Sequence, residues 1–164
     1  MSTNVKNAVN FLLFSVALGG GLVHSYVVSP IAFKHLPLEH FSNLQNKVFP
    51  HYFLGQALIP VVLSLTTPLP LRVAGPVLAA SGIAGALNLM WVLPVCKDAK
   101  DKKKKLEAEK LHEQIVDGKP VPTDEYRALS KRFGMYHGIS SLLNLVSLLS
   151  LVVYGVYLGR IVRV

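Results

Sequence analysis

Four stretches of this chain contain no Asp, Glu, Lys or Arg: Asn7–Phe33, Val48–Leu71, Val73–Cys96 and Phe133–Gly159, of 27, 24, 24 and 27 residues. A helix rises about 1.5 Å per residue and a bilayer core is about 30 Å thick, so roughly 20 residues cross it and every stretch is long enough. A helix on a soluble domain would alternate polar and apolar faces instead. The pattern predicts an all-α integral membrane fold: four transmembrane helices packed as a bundle, one membrane domain over 1–164, with spans near 8–33, 50–67, 73–95 and 133–159. The first stretch outruns the roughly 7–15-residue apolar core of a signal peptide, and no small-x-small site follows it, so it is expected to remain as a span. A lone Cys96 cannot form an internal disulfide.

The charge that these stretches exclude is concentrated elsewhere. Residues 97–132 hold eleven of the seventeen basic and eight of the nine acidic side chains. The run Lys102-Lys103-Lys104-Lys105 suggests contact with anionic lipid headgroups. Glu107, Glu109 and Glu113 interleave with it, as in a solvated and mostly helical loop, and no nucleic-acid partner is expected. Crossing four times places Lys34, Lys47 and the eleven basic residues of this loop on one side, thirteen in all. Lys6, Arg72, Arg160 and Arg163 fall on the other. By the positive-inside rule the 97–132 loop is expected in the cytosol and both termini outside it. Tyr52, Trp91 and Tyr136 would then mark the cytosolic boundary, with Tyr154 and Tyr157 at the far one. Endomembranes (endoplasmic reticulum or later secretory membranes) suit this arrangement, and mitochondrial membranes are compatible with it.

The first connection, "KHLPLEHFSNLQNKVFPHYF", has apolar residues at near-helical spacing. It reads as a short interfacial helix over 35–48, ended by Pro50 where the second span begins. Pro60 is expected to kink that span, and "TTPLP" to close it in a tight turn before Arg72. Small residues four apart indicate close helix contacts: Ala17, Gly21, Ser25 and Ser29; Gly75 with Ala79, Ala80 with Ala84, Gly82 with Ala86; Gly134 with Gly138 and Gly155 with Gly159.

Polar groups within the spans are the candidate site. In "YHGISSLLN", His137, Ser140 or Ser141, Asn144 and Ser147 fall on one helix face. Counted from the lysine-rich end of each stretch, His24 is about ten residues in, Gln56 and Asn88 about nine, and Asn144 about twelve, a spread of about 5 Å. Antiparallel helices therefore bring these groups to one level. Three uses compete: hydrogen bonds between helices, a polar cavity open to the cytosol, and haem held by His24 and His137. A depth difference of about 7–8 Å between those histidines weighs against haem, and no cofactor is expected. His112 with Glu109 or Glu113 could contact a metal, but no second cluster supports a centre. No HExxH, phosphate loop or nucleophile elbow is present, and no acid lies in any span, so no enzymatic activity is expected.

Three segments together resemble the transmembrane-protein-205-like family. In the first connection the matching residues are Leu36, Pro37, Phe41, Gln45, Lys47, Phe49, Pro50, Tyr52 and Phe53. "NLMWVLP", Asn88 to Pro94, is similar to that family's Asn-x-x-Trp-x-x-Pro. Tyr126, Leu129, Phe133, Tyr136, His137, Gly138, Ser140, Ser141, Leu142, Asn144 and Leu145 match in register. The first span matches only in general character, and the loop from Lys97 to Tyr126 differs in length and charge. The resemblance implies a four-span eukaryotic membrane protein and supplies no reaction. The function expected is a non-enzymatic accessory or assembly subunit, with other membrane-protein subunits and the bilayer as partners. The first-connection elbow (Leu36, Pro37, Phe41, Gln45, Phe49, Pro50, Tyr52) and the polar stripe would be its contact or site. The alternative is transport of an ion or small molecule through a cytosol-facing cavity.

Overall fold

The computed structural model describes residues 2–161; Arg163, counted above for orientation, lies outside the described residues. Four helices in it are long and apolar enough to cross a membrane: α1, Thr3–His35; α2, Leu38–Thr66; α3, Leu71–Ala108; and α4, Asp124–Ile161. A two-stranded hairpin, β1 (Glu113–Val116) and β2 (Lys119–Pro122), separates α3 from α4. The turn between α2 and α3 occupies residues 67–70, where the Leu69 amide donates to Thr67 Oγ1 at 3.1 Å and Pro70 caps the next helix.

Two helices contain a turn of π-helix, His24–Val28 in α1 and Asn88–Val92 in α3. In each, a proline follows six residues after the polar residue that opens it: His24 with Pro30 and Asn88 with Pro94. A proline inside a helix lacks a donor, and its ring crowds the carbonyl four residues back. Here the Ser29 and Leu93 amides instead bond five residues back, to the His24 and Asn88 carbonyls. The wider turn makes room for the ring without breaking the rod.

The separate interfacial helix expected over 35–48 does not form. The chain is extended only at Leu36 and Pro37, and α2 runs unbroken from Leu38 through Pro50 and Pro60 to Thr66. Its first turns are held by α3: Lys100 Nζ donates to Ser42 Oγ at 3.1 Å and also to Asn46 Oδ1, and Lys104 Nζ reaches Asn43 Oδ1 at 3.4 Å. These bonds carry α2 past the proline. Burial, with a smaller effect of Lys104, lowers the pKa of Lys100 below the usual lysine range.

The charged loop is likewise only partly the helix expected of it. α3 continues twelve residues past Cys96 and α4 begins nine residues before Phe133. These extensions form a stalk about 13–18 Å long. Its core is Cys96, Ala99, Leu106 and Leu129, and Arg132 pairs with Asp98 at 3.7 Å. α3 stops where Lys110 adopts φ 57°, with the Leu111 amide bonded to the Leu106 carbonyl at 2.8 Å and the Lys110 amide to Glu107. The hairpin turn is Asp117-Gly118, both at positive φ (50° and 73°), the two-residue geometry that matches strand twist.

At the opposite end the bundle is closed by buried Leu63, Ala74, Leu78, Leu151, Tyr154 and Leu158. The outer surface is apolar; Leu12, Leu65, Met90 and Leu142 are all exposed, as lipid-facing helices require. Close contacts rest on particular glycines. A methyl at Gly85 would lie 2.6 Å from the Gln56 backbone, and one at Gly21 would lie 2.6 Å from Leu148. Gly155 faces Phe14 in the same way, whereas Gly75, Gly134, Gly138 and Gly159 meet nothing. Gly85 was not among the small-residue pairs the sequence offered.

Candidate functional site

Four side chains from three helices meet in one hydrogen-bond network. Asn144 of α4 accepts at Oδ1 from Tyr52 Oη (2.8 Å) and from Gln56 Nε2 (2.7 Å), both on α2. Its Nδ2 donates to Ser25 Oγ of α1 at 2.9 Å. Gln56 Nε2 also lies 3.1 Å from Tyr52 Oη, and Ser25 and Tyr52 share a bond of 3.1 Å. Tyr52 and Gln56 are four residues apart on one face of α2, which lets both reach one amide. All four groups are partly buried, and the network closes on itself, except that Gln56 Oε1 is buried without a donor.

Other predicted site residues separate from this centre. Asn88 is fully buried and donates from Nδ2 to the Ser140 carbonyl at 3.2 Å, so Ser140 takes part through its backbone; Asn88 Oδ1 has no donor. His24 stands beside the network, its ring 4.7 Å from that of Tyr52 and its Nε2 3.5 Å from Ser29 Oγ. Ser29 in turn accepts from Gln45 of the elbow at 3.2 Å. His137 does not join: it is exposed and stacked on Phe133. Ser141 is exposed too, donating to the His137 carbonyl of its own helix at 3.0 Å. Contacts from α1 to α4 run from Phe14–Gly155 through Gly21–Leu148 to Ser25–Asn144. One turn further, the polar bond from α1 goes to α2, and His137 is left exposed. The histidines of the haem reading therefore do not face one another. His112 lies against Tyr126 and Glu113 in the stalk, and among the described residues no three His, Cys, Asp or Glu side chains gather as metal ligands do.

The elbow residues also divide. Gln45 is buried, Phe49 stacks on Phe53 at 5.4 Å, Phe41 packs edge-on to Phe33, and Leu36 with Pro37 forms the link. Tyr52 and Tyr154, expected at the boundaries, both bond inward. Trp91 and Tyr136 pack together at 5.8 Å on the outside.

Two further polar links join residues that the sequence did not pair, although Ser147 of the first lies on the polar stripe. Ser81 of α3 and Ser147 of α4, both fully buried, bond at 2.9 Å. At the end away from the lysines, Asn10 donates to the Leu63 carbonyl and Thr66 Oγ1, both at 3.0 Å, and accepts from Tyr154 Oη at 2.8 Å. Asn10 is an amide in an otherwise apolar run, and residues alone did not reveal its partner.

A groove of about 580 Å³ lies between α1 and α2 beside the central network. Tyr52, Gln56 and His24 line it in the middle, with Lys47 and His51 at its lysine-rich end.

Xanthocillin biosynthesis cluster protein D of Aspergillus fumigatus is 27% identical over 155 residues, covering 89% of this chain and 84% of the relative. No solved structure matches. Residues 12–105, which include Ser25, Tyr52, Gln56 and Asn88 but not Asn144, match the family model described as a domain of unknown function, DUF4149. That match covers more than half of the sequence, and the chain belongs to this DUF4149 family.

Proposed function

We propose that this chain is a non-enzymatic, multi-pass accessory or assembly subunit of a larger membrane complex, with its stalk as the contact. The observation that carries this reading is the stalk tip. Leu111, Ile115 and Val116 are exposed there, beyond the membrane-crossing stretches and on a hairpin braced by two continuous helices. Apolar side chains held out on a rigid support fit a protein partner. The central network supports the same reading, since its groups mostly satisfy one another as bonds between helices do. The transport alternative needs a route through the bundle, and the packing of Leu63, Leu78, Leu151 and Leu158 with the Asn10–Tyr154 bond counts against one. The fungal relative is named for a biosynthesis cluster, which favours a part played beside enzymes. Membership of the transmembrane-protein-205-like group, on the three segments quoted above, belongs to this proposal. So does residence in endoplasmic reticulum or later membranes with the stalk in the cytosol.

The test is native extraction in mild detergent. The full chain is expected to migrate in an assembly larger than its own monomer or homo-oligomer, and Ile115→Asp to release it. Wild-type protein running alone or as a homo-oligomer would overturn the reading.

A further inference from the structure

We propose that the groove between α1 and α2 binds one phospholipid with an anionic headgroup, drawn from the leaflet on the lysine-rich side. Three observations converge on this occupant. The first is shape. On α2 the groove runs from Lys47 to Pro60, thirteen residues or about 20 Å. One leaflet contributes about half of a 30 Å hydrocarbon core, so the groove matches an acyl chain with its attached headgroup. Its volume of about 580 Å³ is within the roughly 300–1,000 Å³ of ligand sites.

The second is its floor. Val16, Ala17, Ile59, Pro60 and Leu151 make the deep end apolar. The groove is open because of two glycines. A side chain added at Gly20 would meet no protein atom within 4 Å, and one at Gly55 would meet only the tip of Ile59 at 3.8 Å. Larger residues at these positions would fill the space where the lipid chain belongs. Gly21, one position along, is different: it is committed to Leu148 and Tyr52.

The third is charge. Lys47 and His51 stand four apart on α2 at the mouth, both exposed, and half-buried His24 of α1 lies further in, beside Tyr52. Glu39 is the only acidic residue outside 97–132, and it lies two helical turns beyond Lys47. No carboxylate pairs with Lys47 among the described residues. A lysine can lay its aliphatic stem along the groove wall and present its ammonium to a phosphate at headgroup level. His51 can donate a hydrogen bond to the same phosphate. A zwitterionic headgroup would bring its own cation to this unpaired lysine, so an anionic one fits better.

The test uses the full chain extracted in mild detergent and incubated with phosphatidic acid or phosphatidylcholine of identical acyl chains, with bound lipid read by native mass spectrometry. Phosphatidic acid is expected to be retained in preference. Lys47→Gln should reduce that preference about fivefold, the contribution of one basic residue at a lipid surface. Gly20→Leu should lose bound lipid of both kinds. Gly19→Leu, which adds the same side chain to open space outside the groove, should behave as wild type. Gly55→Leu replaces Gly20→Leu if that variant does not fold. Equal or greater retention of phosphatidylcholine would overturn the headgroup assignment, and wild-type lipid retention by the folded Gly20 or Gly55 variant would overturn the site.

Discussion

Asn144 is the residue on which the central contacts depend. Its oxygen takes two donors from α2 and its nitrogen gives one bond to α1, so one amide ties three helices together. Hydrogen bonds between membrane helices contribute about 0.6 kcal/mol on average and up to about 1.7. Asn144→Ala removes three and leaves Tyr52 and Gln56 without their shared acceptor, so it should cost about 1–3 kcal/mol. His137→Ala, seven residues away on nearly the same helical face, should change stability by less than about 0.5 kcal/mol because its side chain is exposed and stacks on Phe133 of its own helix. Denaturant titration of both variants in detergent, followed by helical circular dichroism, checks the contrast; equal losses would mean that the network does not join the helices. The same pair shows what was legible in the sequence. Depth could be read because the rise per residue is fixed, which brought Gln56 and Asn144 to one level. The side of α4 on which His137 and Asn144 stand was also readable. Whether another helix faced that side at each level was not, because α1 follows α4 only as far as Ser25 and then turns its polar groups to α2.

Among the elements, the stalk combines local sequence signals with contacts that no local signal shows. Asp117-Gly118 between "EQIV" and "KPVP" is the short-range mark of a two-residue hairpin. It stood in the sequence unread, because the surrounding lysines and glutamates pointed to a solvated helix. The contact from α4 back to α3 is long-range: Tyr126 Oη donates to Glu107 Oε1 at 2.6 Å while Lys103 Nζ lies 4.6 Å from the ring centroid. The hydrogen bond to the carboxylate, with smaller effects of burial and of the Glu107 and Glu113 charges, pushes the Tyr126 pKa from 10.0 up to about 12. A raised folded-state value stabilises the stalk fully below pH 10, and that contribution is lost as pH rises from about 10 to about 12. An alkaline tyrosinate absorbance titration of wild type minus Tyr126→Phe isolates this one phenol. Its midpoint is expected near pH 12; a midpoint at the ordinary value would mean that the Glu107 contact is not made.

For the whole molecule, the relative placement of the connections rests on contact rather than on counting charges. Lys100 and Lys104 bond Ser42, Asn43 and Asn46, so the Leu36–Pro37 link and the stalk are at one end of the bundle. The 67–70 turn and the start of α1 are at the other, joined through the bonds of Asn10 and Tyr154. Lys34, Lys47, Lys97 and Arg132 bound the uncharged stretches at the first end, and separating them between two membrane faces would break the Lys100 and Arg132 contacts. Absolute orientation is a separate matter, and there the excess of thirteen basic residues over four predicts a cytosolic stalk. Single cysteines introduced at Glu39, Pro68 and Asp117 in a Cys96→Ala background, probed in sealed vesicles with a membrane-impermeant thiol reagent, separate the two questions. Positions 39 and 117 should react from the cytosolic face and 68 from the opposite one. If 39 and 117 reacted from different faces, the four-span bundle itself would be wrong. If all three sides were exchanged together, the bundle and its groove would stand, and the lipid would come from the other leaflet.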